Sequence, residues 1–143
     1  MTTGLSHITF IVRVLDRMEK ILTTVLQAHK IYDSGDQTFS IAPERFFDIA
    51  GVWVAIMQGD ALRERSYNHT AFQIADEDYD DRLACIQALG LDVREGRSRV
   101  AGEARSIYFY DHDNHMFELH SGTLAQRLAS YNTLSLDRRG NAD

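Results

Sequence analysis

Two eight-residue stretches, LSHITFIV (Leu5–Val12) and YNHTAFQI (Tyr67–Ile74), decide the fold of this chain. Each has histidine in third place, phenylalanine in sixth place and an aliphatic residue in eighth place. The two histidines, His7 and His69, are separated by nearly half of the 143 residues. Read as β-strands, both stretches have one apolar face for packing and one mixed face that carries the histidine. The correspondence indicates two similar units within one chain.

The patterns that follow each stretch also occur in the same order. A turn containing acidic residues leads to a helix with apolar residues three and four apart, and two β-type runs joined by a short turn come next. The helices are LDRMEKILTTVLQA and DEDYDDRLACIQALG, and the paired runs are RFFDIA with VWVAIMQ and RSIYFYD with HMFELH. We therefore predict an α+β protein with tandem βαβββ modules at about residues 4–60 and 66–128, in one domain of residues 1–132. Residues 133–143 are expected to form a flexible tail.

The charge of the chain limits its classes of partner. A formal net charge of −6 leaves no general basic surface for nucleic acid or anionic membranes, so an anionic substrate would need a local group of arginines. The first residues, MTTGLSHITF, lack a basic segment followed by an apolar run, and no apolar stretch approaches the 18 or so residues of a membrane span. We expect a cytoplasmic protein whose partner is a small molecule.

The window DHDNHMFELH (Asp111–His120) holds three histidines and three carboxylates. Asp111 and Asp113 fall in a predicted turn, where short polar side chains bond to nearby backbone. Strand alternation places Glu118 on the mixed face of the last strand, with His7 and His69 as candidate partners on equivalent strands. Two imidazoles and one carboxylate form an open ligand set for Mn, Fe or Zn. The alternative is two core histidines and a half-buried glutamate paired with an arginine.

Superposition of the two units sharpens the prediction of a metal site. If VWVAIM aligns with HMFELH, the counterpart of Glu118 in the first unit is Ala55, which has no atom that can bind a metal. The protein would then supply three ligands and leave a fourth position open for water or substrate.

Several segments resemble the vicinal oxygen chelate superfamily, which includes glyoxalase I, extradiol dioxygenases and fosfomycin resistance proteins. The likeness extends over residues 4–128 and is strongest to the FosX type, the manganese-dependent fosfomycin hydrolases. The segments that carry it are GLSHITFIV, VWVAIMQG, ERSYNHTAF and RSIYFYDHDNHMFELHSGTL with the following RL. The resemblance implies a vicinal oxygen chelate fold in a domain-swapped homodimer.

The resemblance also implies a reaction. His7, His69 and Glu118 would bind Mn(II), or another divalent transition metal, and water would open the oxirane of fosfomycin to give a diol. Glu44, in APERFF, stands where the family has the general base of this hydration. The related FosA and FosB types add glutathione or another thiol instead and lack this glutamate.

Substrate contacts follow from the same likeness. Ser106, Tyr108 and Arg127 match family positions near the phosphonate, while Arg97 and Arg105 are equally well explained as surface charges. An arginine suits a phosphonate because its planar guanidinium donates two parallel hydrogen bonds. The complete predicted substrate-binding set is Thr9, Trp53, Tyr67, Arg99, Ser106, Tyr108 and Arg127.

Three other functions remain open from the sequence. A thiol transferase acting on fosfomycin would use the same metal ligands without Glu44. A hydrolase of another phosphonate or epoxide would share the whole site. A non-enzymatic protein that sequesters a small anion would give only stoichiometric protection, because each protein molecule would bind the anion without turnover.

Overall fold

The computed structural model describes residues 1–37, 39–94 and 104–140. The first module consists of β1 (His7–Val12), α1 (Leu15–Val25), β2 (His29–Asp33), β3 (Glu44–Ile49) and β4 (Val52–Gln58). The second consists of β5 (His69–Gln73), a short 3₁₀ helix (Asp76–Asp78), α2 (Tyr79–Ala88), β6 (Asp92–Arg94), β7 (Ser106–Tyr110) and β8 (Met116–His120), and α3 (Leu124–Gly140) follows it. This order confirms the predicted pair of βαβββ units.

Each module forms its own four-stranded mixed sheet, ordered β1-β4-β3-β2 in the first and β5-β8-β7-β6 in the second. The first and last strands of a module lie side by side and run parallel. Thr9 lies opposite Ala55 in one sheet, and Ala71 lies opposite Glu118 in the other. The register therefore confirms that Ala55 is the counterpart of Glu118.

The predicted turns are present, and their backbone explains their composition. Ala50 and Gly51 adopt φ values of 50° and 84° between β3 and β4, and Asn114 adopts φ 70° between β7 and β8. These left-handed conformations favour glycine and asparagine. Gly90, at φ 67°, ends α2 in the same way. Pro43 lies just before β3, where its missing N–H costs no ladder hydrogen bond.

The larger of two apolar clusters in the described residues joins the two modules. The predicted apolar face of α1 is buried, and the rings of Phe10 and Phe117, from β1 and β8, lie 5.0 Å apart. Phe47 and Phe109 are also fully buried. Burial of one such side chain contributes roughly 1.5–3 kcal/mol, so these contacts are the main force that holds the modules together.

Polar contacts reinforce this junction. Arg13, just after β1, donates from its backbone N and from Nε to Asp113 Oδ1, at 3.1 and 2.9 Å. Arg82 of α2 donates to the carbonyls of Thr24 and Val25 at 3.2 and 3.3 Å. These carbonyls end α1 and have no partner within the helix, so Arg82 satisfies acceptors that would otherwise need water.

The segment from Thr133, which we expected to be loose, is helical as far as Gly140 and continues α3. No proline or glycine interrupts residues 123–139, so nothing in the sequence stops the helix that begins at Leu124. Leu128 and Leu136 remain exposed on it. Within the described ranges, no helix has both the length and the apolar character needed to cross a membrane.

Candidate active site

The pleat of each sheet collects the predicted site residues on one face. In the first sheet, His7 lies opposite Trp53, and Glu44 lies opposite Met57, which is also the partner of Ile11. Since directly paired residues share a face, Glu44 and His7 are on the same side of this sheet. In the second sheet, the same rule groups the side chains of His69, Ala71, Ser106, Tyr108, Met116, Glu118 and His120.

His69 and Glu118 form the closest pair of predicted ligands, with Nε2 and Oε2 3.1 Å apart. The other ring nitrogen of His69, Nδ1, lies 2.7 Å from the carbonyl oxygen of Tyr67. Because a carbonyl only accepts, Nδ1 carries a proton, and Nε2 of the neutral ring then directs a lone pair toward the carboxylate. A proton on Nε2, or a metal ion bound to both atoms, removes the resulting repulsion. The pair therefore fits a divalent cation, with the backbone of Tyr67 fixing the imidazole.

Glu118 is buried, with 4% of its surface exposed. Burial raises the pKa of its carboxyl group, but hydrogen bonds from Ser106 and Tyr108 and the nearby imidazoles of His120 and His69 lower it by more, so its pKa lies below the usual value. The Ser106 hydroxyl donates to Oε1 at 2.5 Å. The site thus keeps Glu118 ionised, as a metal ligand must be.

Tyr108 lies beside this pair as a neutral hydrogen-bonding group. Its ring stands edge-on to His69 at 5.6 Å and faces Tyr67 at 5.8 Å. Burial raises the pKa of the Tyr108 phenol, and the hydrogen bond with Tyr67 and the negative charge of Glu118 raise it further. The phenol therefore keeps its proton at neutral pH and can donate it to an anion.

A cavity of about 290 Å³ opens beside these side chains. The start of α3 forms one wall of it and contributes the only arginine among the lining residues within the described chain, Arg127. The backbone N–H of Arg127 bonds to the carbonyl of Thr123 at 3.1 Å, which fixes the first turn of the helix. The lining residues are His69, Ala71, Glu118, His120, Thr123, Leu124 and Arg127.

The remaining predicted residues lie on the first sheet. The His7 ring stacks on Trp53 with centroids 4.3 Å apart, and its Nδ1 is 3.1 Å from the Ser6 hydroxyl. Trp53 in turn contacts Phe46 edge-on at 5.1 Å. His7 and Trp53 are exposed, as is Thr9, so this face is open in a single chain.

One chain brings together part of the predicted set. His69, Glu118 and Arg127 line one cavity. Ser106 bonds to Glu118 behind it, and the rings of Tyr108 and Tyr67 contact His69. The residues of the first sheet, including His7 and Glu44, do not join them: in residues 1–37, 39–94 and 104–140, no three His, Cys, Asp or Glu side chains are placed to hold a metal ion. The predicted loop arginines, Arg97 and Arg99, lie outside the described residues. Arg105 pairs with Asp76 at the surface instead of facing the cavity.

His120 is a site residue that our sequence reasoning did not select. Its Nδ1 lies 2.7 Å from the Ser106 hydroxyl, and its ring lines the cavity. The alternation of the last strand already placed it on the face of Glu118. Its role depends on the register of β7 against β8, which puts Ser106 directly opposite it.

Comparison with known proteins shows several close likenesses. The family described as the Glyoxalase/Bleomycin resistance protein/Dioxygenase superfamily matches residues 4–119. The fosfomycin resistance protein FosX of Mesorhizobium japonicum is 59% identical over 129 residues, covering 90% of this chain and 93% of its own length. The metallothiol transferase FosB of Shouchella clausii is 35% identical over 148 residues, covering 100% of this chain and 97% of its own.

A solved structure extends the likeness to three dimensions. A glutamate-to-glutamine mutant of FosX from Listeria monocytogenes, in complex with Mn(II) and 1S,2S-dihydroxypropylphosphonic acid, superposes with a TM-score of 0.83 at 53% identity. The match covers 92% of this chain and 99% of that one.

Proposed function

The chain belongs to the Glyoxalase/Bleomycin resistance protein/Dioxygenase superfamily and, within it, to the FosX fosfomycin resistance proteins, and we propose that it inactivates fosfomycin by adding water to the oxirane ring. The product would be a diol that keeps the phosphonate. The ligand of the Listeria FosX structure is such a compound, a dihydroxypropylphosphonic acid, and supports this reaction for our chain.

The presence and position of Glu44 are the main support for hydration rather than thiol addition. Its side chain is half-buried and lies on the same sheet face as His7, four residues before Asp48 on β3. Water is a weak nucleophile, so a positioned carboxylate that accepts its proton is worth roughly 10² to 10⁴ in rate. A thiol transferase does not need this base, because a thiol can react as its anion.

Mn(II) is the metal that we propose, bound by His7, His69 and Glu118. The arrangement of His69 and Glu118 supports it, because Nε2 and Oε2 face each other at 3.1 Å, a separation that suits two ligand atoms bound to one cation. When bound, the metal would act as a Lewis acid that stabilises negative charge on the oxygen released from the ring. Other divalent transition metals would fit the same atoms, and later ones would bind more tightly.

A domain-swapped homodimer would complete this ligand set. Within one chain His7 faces solvent on the first sheet, while His69 and Glu118 face a cavity on the second. A second copy that presents its first sheet to this cavity would add His7 and Glu44 and would cover the exposed ring of Trp53. The apolar character of that ring favours such burial.

The phosphonate would be held at the edge of the cavity by charge-assisted hydrogen bonds. Arg127 supplies the positive charge within the described residues that line the cavity. Tyr108, whose phenol is hydrogen-bonded to Glu118, is included from the sequence prediction. We include Thr9, Trp53, Tyr67 and Arg99 from the sequence prediction. Ser106 is left out of this group, because its one proton is donated to Glu118.

Thiol transfer to fosfomycin is the second candidate, and the 35% identity to a FosB metallothiol transferase favours it. The two reactions share the substrate and the metal ligands. They differ in the atom that is added to the oxirane carbon: oxygen from water, or sulfur from a thiol.

Mass spectrometry in oxygen-18 water separates the candidates. Metal-stripped protein is incubated with fosfomycin, with and without Mn(II) and with and without glutathione. We expect a Mn(II)-dependent diol that carries one heavy oxygen. A thiol adduct alone would identify a transferase, stoichiometric loss of free fosfomycin without product would identify a binding protein, and no reaction would direct the search to another phosphonate or epoxide.

A matched pair of variants tests the general base. Glu44→Gln should slow diol formation by roughly 10² to 10⁴ and leave the affinity for Mn(II) nearly unchanged. Asp48→Asn is the control, because Asp48 is an acid on the same strand and face whose carboxylate accepts the N–H of Gly51 at 3.2 Å. Equal rates in wild type and Glu44→Gln would show that another group accepts the proton.

A further inference from the structure

Three polar side chains on one face of β7 and β8 form a connected chain of hydrogen bonds. Ser106 lies directly opposite His120 in the antiparallel pair, and Glu118 is two residues before His120 on the same face. Ser106 Oγ is 2.5 Å from Glu118 Oε1 and 2.7 Å from His120 Nδ1. His120 Nδ1 is also 3.5 Å from Glu118 Oε1, so the three groups are compact.

The direction of the hydrogen bonds follows from the number of protons. An ionised carboxylate only accepts, so the single proton of the Ser106 hydroxyl points to Glu118. The Ser106 oxygen can then only accept from the histidine, which requires a proton on Nδ1 of His120. The bonds therefore run from His120 to Ser106 to Glu118, and each strengthens the next by polarisation.

This series of hydrogen bonds gives the two carboxylate oxygens of Glu118 different roles. Oε1 is bonded to Ser106, while Oε2 faces His69 at 3.1 Å. Rotation of the carboxylate would break the short bond to Ser106, and the buried side chain has little room to turn. Oε2 is thereby held as the oxygen presented to a cation.

The position of the His120 ring depends on Gly122, which has no side chain and leaves room for it. A Cβ at this position would lie 2.9 Å from His120 Nε2 and 2.3 Å from the Cβ of Ala104. Neither distance is compatible with normal contacts, so any larger residue would displace the His120 ring or Ala104. The backbone carbonyl of His120 also accepts from the N–H of Ile74 at 3.0 Å.

We propose that Ser106 and His120 are positioning residues that fix the orientation of Glu118 for metal binding. The proposal rests on the proposed metal-dependent function, and it gives Ser106 a role different from a contact with the phosphonate. Hydrogen-bonded partners of metal ligands typically contribute tenfold to a hundredfold to metal affinity.

Titration of the metal-stripped protein with Mn(II), followed by the electron paramagnetic resonance signal of free Mn(II) and without fosfomycin, tests the proposal. Ser106→Ala and His120→Leu should each raise the Kd for Mn(II) by about tenfold or more. His120→Asn, whose amide can donate from nearly the position of Nδ1, should restore most of the affinity. The double variant should bind no more weakly than Ser106→Ala, because both changes act on one chain of bonds.

Controls separate positioning from a structural role. Ser121→Ala removes a hydroxyl that bonds Asp76 at 2.9 Å and should lower the Tm without changing the Kd. Ser106→Cys keeps nearly the volume of serine with a weak donor, and it replaces Ser106→Ala should the alanine variant not fold. Folded Ser106 variants with wild-type affinity, or losses that multiply in the double variant, would overturn the proposal.

The outcome is distinguishable from failure of the proposed reaction. Protein that binds Mn(II) with this pattern but forms no diol would refute hydration and support the positioning role. Diol formation together with Mn(II) affinities that are unchanged in folded variants would support hydration and refute the positioning role. Wild-type protein without affinity for Mn(II) would refute both.

Discussion

Replacement of Asp111 by alanine measures how much the turn between β7 and β8 contributes to the fold. The Asp111 side chain is fully buried and accepts three hydrogen bonds. Two come from the backbone N–H groups of Asp113 and His115, at 2.9 and 2.8 Å, and one from His115 Nδ1 at 2.7 Å. The turn also holds Asp113 against Arg13 of the first module.

The expected cost follows from these three bonds. A hydrogen bond to a charged group contributes roughly 1.5–3 kcal/mol, and the three are not additive because they share one carboxylate. His112 in the same turn is exposed, so water can reach part of the vacated space. We expect Asp111→Ala to lower the free energy of unfolding by about 3–5 kcal/mol, which corresponds to roughly 10–15 °C in Tm for a chain of this size.

Urea denaturation followed by circular dichroism, at one fixed protein concentration, measures this loss. Asp48→Ala is the matched control, because Asp48 serves the equivalent turn of the first module through one exposed bond to Gly51. It should cost about 1 kcal/mol or less. A loss in Asp111→Ala no larger than in the control would refute the assignment of the second turn as a main polar support of the fold.

Three further outcomes are expected. Glu118→Gln should weaken Mn(II) binding and abolish turnover, since an amide is a poorer ligand; full activity would remove Glu118 from the site. Arg127→Ala should lower kcat/KM by about tenfold or more with little change in Tm, whereas a lower Tm with normal kinetics would indicate a structural arginine. The hydrogen bonds from Arg105 and Ser121 lower the pKa of Asp76, so the stability they add is present above the usual pKa of 3.8 and is lost as pH falls through the lower value of the folded protein. Arg105→Ala should flatten that part of a Tm-against-pH profile, and an unchanged profile would show that the pair adds nothing.

The repeated modules and their faces could be predicted from the sequence because they depend on local periodicity. The strand alternation around His7 and His69 and the spacing of apolar residues in α1 are properties of neighbouring residues. The equivalence of Ala55 and Glu118 followed from aligning the two halves, and the observed register confirms it. The assignment of Asp111 to turn chemistry is also confirmed. The same assignment for Asp113 is wrong, because its side chain accepts from Arg13 of the first module instead of from its own turn.

Other features depend on contacts that no local pattern contains. His120 becomes a site residue because β7 places a serine opposite it, and strand register is set by the whole hairpin. The helix α3 was not predicted, because its apolar residues are exposed and give a weak periodic signal. Three points stay predictions: that His7 and Glu118 bind the same metal ion, that Glu44 is the general base, and that the protein is cytoplasmic.

The parallel pairing of the first and last strands in each module has a consequence for folding. The pairing of His7 with Trp53, like that of His69 with Met116, closes a loop of about 50 residues. Such non-local pairings slow folding. Yet each sheet draws all four strands from its own module, so a nascent chain can complete the first sheet while the second is still being synthesised. The slow steps are thereby confined to two separate segments, and the half of the proposed site that carries His7 can be structured before the half that carries Glu118 exists.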